Sequence, residues 1–440
     1  MAWLEALAEP DITSGQRPLA GPGGGPVALV LVRIERVVIA GGGLAGLRAA
    51  AELRAREYAG TITMIGAEPH PPYDRPPLSK KVMLGELDST SMADDAAGLD
   101  LDLRLGETAT SLDDGVIRTD RAEIRFDRLV LATGAAPIRL PGDGPQHVLR
   151  TIDDALAIRA ALRPGTRLAI VGAGWIGAEL ASSAAARGCA VTVVEAAAAP
   201  AAVALGEATG ALLVPWYAEA GVDLRLGQPV ESVRAGGLAL PGGGWLDADL
   251  VVTAVGVRPC TGWLAGSGVE LAAGYRDAVL VDSQLRTSVP GVYAAGDCAA
   301  FWSARYGRRL RVEHWDNALH APRAAAANLL GAGQEFDPVP YFWSEQFGRM
   351  VQFAGHRDAA DQVIERGDPA GQRWALCWIK REPDDAAGAD GIKVGQLTAV
   401  LTVGQPRDLL QGRRVIEAGR PVDAGLFADP SVAVRDTVAD

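Results

Sequence analysis

One arrangement occurs twice in this chain and constrains its fold more than any other feature. A β-branched run leads into Gly-x-Gly-x-x-Gly, then a helical Ala/Leu stretch, then a second β-branched run. The first copy is Arg36-Val-Val-Ile-Ala40, Gly41-Gly-Gly-Leu-Ala-Gly46, Leu47 to Ala55 and Thr61-Ile-Thr-Met-Ile65. The second, about 130 residues later, is Arg167-Leu-Ala-Ile-Val171, Gly172-Ala-Gly-Trp-Ile-Gly177, Glu179 to Arg187 and Ala190-Val-Thr-Val-Val194. Short apolar runs without alternation suit strands buried on both faces, and a glycine turn between strand and helix is the signature of a βαβ nucleotide-binding unit. Two such units in 440 residues predict an α/β protein of two or three domains.

The chemistry follows from the spacing. In each fingerprint the first glycine permits the tight turn, the second lets backbone approach a pyrophosphate, and the third lets helix pack on strand. Glu68 lies 22 residues beyond Gly46, and Glu195 lies 18 beyond Gly177. A carboxylate at the end of the second strand hydrogen-bonds ribose hydroxyls. At Glu195 it also repels a 2′-phosphate, and Ala196 to Ala199 supply no cation to receive one, so NADH is expected over NADPH. Two dinucleotide sites in one chain pair most sensibly as FAD and a nicotinamide, because a flavin accepts a hydride and releases electrons singly. A chance turn in a glycine-rich chain, or one fold without a ligand, is the alternative.

Charge and cysteine usage exclude other classes. With 42 basic against 54 acidic side chains the net charge is −12, which provides no field for nucleic acid or an anionic membrane. Cys189, Cys260, Cys298 and Cys377 are scattered without metal-ligand or C-x-x-C spacing. The aliphatic run Val27 to Val32 is far short of the roughly 20 residues that span a bilayer. A soluble protein of the reducing cytoplasm is expected, with no metal.

Residues 1–33, rich in Pro and Gly from Pro18 to Pro26, read as a flexible extension, and Arg381 to Gly391 as an exposed loop. Beyond Pro338 the composition turns to Trp, Phe and Gln with strand-like alternation.

Six segments, in order, resemble the FAD-dependent ferredoxin and rubredoxin reductases, the putidaredoxin-reductase-like components of mono- and dioxygenase systems. They are Pro72-Tyr-Asp-Arg-Pro-Pro-Leu-Ser-Lys80, Leu129-Val-Leu-Ala-Thr-Gly-Ala135, Gly172-Ala-Gly-Trp-Ile-Gly-Ala-Glu179, Val292-Tyr-Ala-Ala-Gly-Asp-Cys298, Val312-Glu-His-Trp-Asp-Asn-Ala318 and Pro340-Tyr-Phe-Trp-Ser-Glu-Gln346. The resemblance runs from about residue 34 to the C-terminus. It implies two Rossmann-like domains in a glutathione-reductase-like arrangement plus a C-terminal α/β domain. The expected boundaries are 34–147 with 266–335 for FAD, 148–265 for NAD, and 336–440 for a C-terminal interface domain.

The resemblance further implies site residues. Arg75 and Lys80 would contact FAD, with Lys80 beside the isoalloxazine and paired to Glu179 as the catalytic couple. Thr133 and Gly134 would bring backbone to FAD, Ala109 would be a further cofactor-binding residue, Asp297 would accept a ribityl hydroxyl, and Trp315 and Trp343 would lie near the ring. Trp175, Ile176 and Gly256 would belong to the nicotinamide side with Gly172, Gly174, Gly177 and Glu195. Read without the family, Arg75 and Lys80 are equally a solvated loop, Glu179 a helix-terminal carboxylate, Asp297 an N-cap and the tryptophans core. No cysteine follows Gly46 on its helix, so the electron acceptor implied is a ferredoxin and not a thiol pair. The run Arg305, Arg308, Arg309 and Arg311 is the candidate docking patch, with a solvated loop as the alternative and Arg311 a candidate for an inward, structural role. The resemblance leaves open a small-molecule NADH oxidase or quinone reductase, or a signalling flavoprotein like apoptosis-inducing factor. A monomer or weak dimer is expected.

Overall fold

The computed structural model describes residues 34–380 and 394–439. The expectations for residues 1–33 and for Arg381 to Gly391 lie outside the described residues.

Each β-branched run forms a strand. β1 (Arg36–Ala40) is buried from Val37 onward, and α1 (Leu44–Ala55) follows it. β2 (Thr61–Gly66), β3 (Asp102–Leu105) and β4 (Arg128–Leu131) extend the sheet. The second unit contributes β5 (Arg167–Val171), α2 (Trp175–Ala186), β6 (Ala190–Val194), β7 (Asp223–Arg225) and β8 (Leu250–Thr253). The chain then returns to the first sheet with β9 (Val292–Ala294), which pairs in parallel with β4. The orders are β3-β2-β1-β4-β9 and β7-β6-β5-β8, every pairing parallel. A long helix, α3 (Trp315–Leu329), packs on α1 beneath the first sheet.

Both first helices begin three or four residues earlier than their Ala/Leu texture predicts. The last residues of each glycine fingerprint form the first helical turn, with Gly43 and Gly174 as N-caps in extended backbone.

The C-terminal segment is built of both strands and helices, and its sheet is antiparallel. β10 (Tyr341–Gln346), β11 (Arg349–Gly355), β12 (Gln362–Gly367), β13 (Trp374–Ile379) and β14 (Val394–Val403) run in the order β10-β11-β14-β13-β12. The reason is local: only Phe347 and Gly348, both at positive φ (48° and 76°), join β10 to β11, and a two-residue turn forces a hairpin. One face of the sheet packs under α4 (Pro406–Ala418) through Leu409, Val415 and Ile416. The other packs Phe342, Phe353, Trp374 and Trp378 against Leu205, Leu213 and Trp216 of the second unit. Among the described residues no helix is long and apolar enough to cross a membrane, and no cluster of His, Cys, Asp and Glu suits a metal ion.

Candidate dinucleotide and redox site

A cavity of about 1070 Å³ runs from the first glycine turn to the start of α2 and is closed by β10. That is the upper end of the range for small-molecule sites, as an extended dinucleotide requires. Of the residues singled out from the sequence, Gly41, Gly43, Glu68, Arg75, Lys80, Ala109, Thr133, Gly134, Trp175, Ile176, Glu179, Asp297, Trp315 and Trp343 line it. Gly46, Gly172, Gly174, Gly177, Glu195 and Gly256 lie outside that lining.

The glycines divide by what a Cβ would meet. At Gly46 it would sit 1.9 Å from the Gly41 carbonyl oxygen, and at Gly177 2.0 Å from that of Gly172, so the chain's own helix-to-strand packing demands these two. At Gly43 the nearest atom is a guanidinium nitrogen of Arg75 at 4.0 Å, and at Gly174 nothing lies within 4 Å. Nothing in the chain forbids a side chain there; the open space beside an N-terminus that no side chain caps fits the approach of a phosphate. The residues therefore fit one dinucleotide at each turn.

At the centre is Lys80, whose Nζ donates to Glu179 Oε2 at 2.7 Å and to the Pro76 carbonyl at 3.0 Å. The pair is largely buried, with side-chain exposures of 13% and 6%. The Ser79 hydroxyl donates to the same carboxylate oxygen, while the Ser344 hydroxyl at 2.7 Å and the Glu345 N–H at 3.3 Å donate to Oε1. Both oxygens of Glu179 are thus occupied by donors from two separate parts of the chain, residues 79–80 and 344–345.

Farther along the cavity, Glu68 accepts from the Arg75 guanidinium at 2.6 Å and from the Tyr73 hydroxyl at 2.5 Å. Arg75 also donates to the Arg150 carbonyl at 2.6 Å, and the Arg150 guanidinium donates to Asp297 Oδ2 at 2.9 Å. Trp315 donates its indole N–H to Asp74 Oδ1 at 2.7 Å and meets Trp343 edge-on at 5.7 Å. Burial pushes the Asp74 carboxyl up despite that bond. His314 lies against Phe342 at 4.6 Å, and burial lowers its imidazole to about 4, so it is neutral. Thr133 donates its hydroxyl to the Cys260 carbonyl at 2.9 Å.

Glu195, at the end of β6, accepts from the Ala173 N–H at 2.7 Å and the Ala197 N–H at 2.8 Å, which ties it to the second glycine turn. Gly256 follows β8 at φ 100° and accepts from the Ile138 N–H at the crossover between the two units.

Tyr73, Asp74, Ser79, Arg150, Cys260, His314 and Ser344 were not singled out from the sequence. Tyr73, Asp74, Ser79, His314 and Ser344 stand inside segments read for other residues; Arg150 and Cys260 carry no local signal. All four cysteines are free. Burial raises Cys260, the one on the cavity wall, and pushes Cys298 up to about 11, so both are thiols at neutral pH and not reactive thiolates.

The arginine run is mostly engaged. Arg305 donates to the Ile416 and Glu417 carbonyls, Arg309 to those of Val281 and Ala300, and Arg311 turns to Glu313 at the cavity wall. Arg308 faces outward beside Asp358 at 3.1 Å.

Two parallel nucleotide-binding sheets with a buried Lys–Glu couple where they meet define an oxidoreductase that uses a bound flavin with a nicotinamide nucleotide. The chain belongs to the pyridine nucleotide-disulphide oxidoreductase family, whose model matches residues 35–321; a reductase C-terminal model matches 341–438. It is similar to the ferredoxin--NAD(+) reductase component of the anthranilate 1,2-dioxygenase system of Burkholderia cepacia, 35% identical over 90% of this chain and 98% of that one. Among solved structures, Fdr9 is 45% identical with a TM-score of 0.84, covering 91% of this chain and 99% of its own. The covalent putidaredoxin reductase–putidaredoxin complex matches at 29% identity and TM-score 0.83, over 92% and 98%. The cofactors of the present chain are FAD and NADH.

Proposed function

We infer that the protein passes electrons from NADH to a ferredoxin that serves an oxygenase. The observation that carries this is the cavity wall: it holds a buried ammonium–carboxylate couple and a single protonated thiol, with no second thiol to take electrons as a pair. FAD, when bound, takes up the hydride of NADH and gives its two electrons to two one-electron acceptors.

The chain's own residues bind and orient. Gly41 and Gly43 admit a pyrophosphate, Glu68 and Asp297 offer ribose and ribityl acceptors held by Arg75 and Arg150, and Thr133, Gly134 and Ala109 present backbone. Lys80 holds its ammonium at the flavin ring with Glu179 as counter-ion, and Trp315 and Trp343 shield the ring from water. Gly172, Gly174, Gly177, Trp175, Ile176, Gly256 and Glu195 receive NADH, the last discriminating against a 2′-phosphate. The working division of the chain is 34–147 with 266–335 for FAD, 148–265 for NADH and 336–440 as the interface domain.

Arg305, Arg308 and Arg309 form the docking patch. Arg305 and Arg309 bond backbone carbonyls, and Arg308 presents the accessible guanidinium. Free cysteines fit a reducing cytoplasm, and a monomer or weak dimer is the state proposed.

The test is anaerobic: NADH should bleach the flavin of the holoprotein, and one equivalent should then reduce two equivalents of a [2Fe–2S] ferredoxin from an oxygenase system. Reduction of small dyes with no reduction of the ferredoxin would overturn the reading.

A further inference from the structure

Along β10, Phe342, Ser344 and Gln346 point to one face and are 8%, 0% and 1% exposed. Burying a hydroxyl and an amide on an otherwise apolar face is costly unless specific partners compensate. Partners are in place for the hydroxyl and for the amide nitrogen, while Gln346 Oε1 has none among the described residues. Gln346 Nε2 donates to Ser344 Oγ at 3.0 Å, and Ser344 donates to Glu179 Oε1 at 2.7 Å. Because the serine oxygen already accepts from the glutamine, its one proton is committed to the carboxylate. The two oxygens of Glu179 are therefore served from opposite sides, Oε1 by β10 and Oε2 by Ser79 and Lys80.

The hairpin that carries these residues is clamped onto the second unit. Phe347 holds a positive φ that a bulky residue rarely adopts. Its N–H donates to Ser182 Oγ on α2 at 2.9 Å, and its ring meets Tyr217 at 4.8 Å. Two residues on, Arg349 pairs with Glu219 at 2.6 Å. A strained turn fixed on both sides keeps Ser344 in register with Glu179.

We propose that Ser344, oriented by Gln346, is a positioning residue for Lys80 that acts through Glu179, so that the C-terminal sheet helps build the redox site. Without the serine hydroxyl, Oε1 keeps only the longer Glu345 N–H bond; the carboxylate turns, and the ammonium bonded to its other oxygen moves with it. This rests on Lys80 lying beside the flavin.

The experiment compares the wild-type holoprotein with Ser344→Ala, Ser344→Thr, Lys80→Met and the Lys80→Met/Ser344→Ala double variant. It reads the flavin midpoint potential against reference dyes and, separately, the rate of bleaching by NADH. Ser344→Ala should slow bleaching by roughly tenfold, the scale of one hydrogen bond to a charged group, and shift the potential. Ser344→Thr should restore most of both, and in the Lys80→Met background the alanine should change neither. Ser344→Cys, nearly isosteric and a weak donor, should reproduce the alanine result with packing kept. Wild-type rate and potential in Ser344→Ala, or the same shift with and without Lys80, would overturn the proposal. Failure of NADH to bleach the wild type would overturn the functional reading instead, and the dye-equilibrated potentials would still report on Ser344.

Discussion

The glycines at Gly43 and Gly46 are the same residue type with different obligations. Gly43 sits in extended backbone open to any residue, so Gly43→Ala should leave the melting temperature of the apoprotein unchanged while weakening FAD binding at least about tenfold in calorimetric titration. Gly46→Ala should instead destabilise the apoprotein outright, since its methyl meets a backbone carbonyl that has nowhere to go. FAD binding by Gly43→Ala equal to wild type would remove that position from the phosphate approach. His314 sets a pH dependence. Burial holds its imidazole down to about 4, whereas in the unfolded chain it titrates near 6.5, so on acidification the unfolded state takes up the proton first. Stability present at neutral pH should therefore fall between about 6.5 and about 4, by roughly 2–3 kcal/mol from this residue. His314→Asn should flatten that part of a melting-temperature profile. His356, lowered by burial and by Arg308, adds in the same direction, so the flattening is partial.

At the level of elements, the side-chain hydrogen bonds from β12 to the end of the chain are gathered on one residue, beside the apolar packing of Ile364. Arg366, 4% exposed, pairs with Asp408 at the start of α4 and donates to the carbonyls of Phe427, Asp429, Pro430 and Val432. Arg366→Leu strands a partly buried carboxylate and four carbonyls, and should cost about 3–5 kcal/mol. Limited proteolysis should then cut within 424–438 while flavin binding survives; an uncut chain would show that the sheet holds without this tie. What could be read in advance follows the same local logic. The two glycine turns, their strands and both glutamates were legible because each depends on residues within about 25 positions. The helix starts lie ahead of the Ala/Leu texture because fingerprint residues serve as turn and helix at once. Ser344 on Glu179, Trp315 on Asp74 and Arg150 on Asp297 join residues 165, 241 and 147 positions apart, and no periodicity encodes such pairs. The hairpin turn at Phe347-Gly348 is hard to read because only its second residue carries the usual glycine signal, while a phenylalanine at positive φ carries none.

For the whole molecule, a net charge of −12 must be reconciled with a partner of iron–sulfur chemistry, itself commonly acidic, so attraction has to be local. Arg308, 47% exposed and bonded among the described residues only to an exposed Asp358, is the arginine of the run that can change sign without disturbing the fold. Arg308→Glu should lower ferredoxin-dependent turnover several-fold at low salt and flatten its salt dependence, with NADH-driven dye reduction unchanged; equal loss of both would mark a folding defect. The return of β9 to the first sheet bears on biosynthesis as well. All four strands of the second sheet have been translated by Thr253, whereas the first sheet lacks its edge beside β4 until Val292–Ala294 and its covering helix until Leu329. On the ribosome the later-encoded sheet is therefore complete first, and the earlier-encoded half of the molecule must wait, one edge open, for a stretch of chain more than 160 residues downstream of β4.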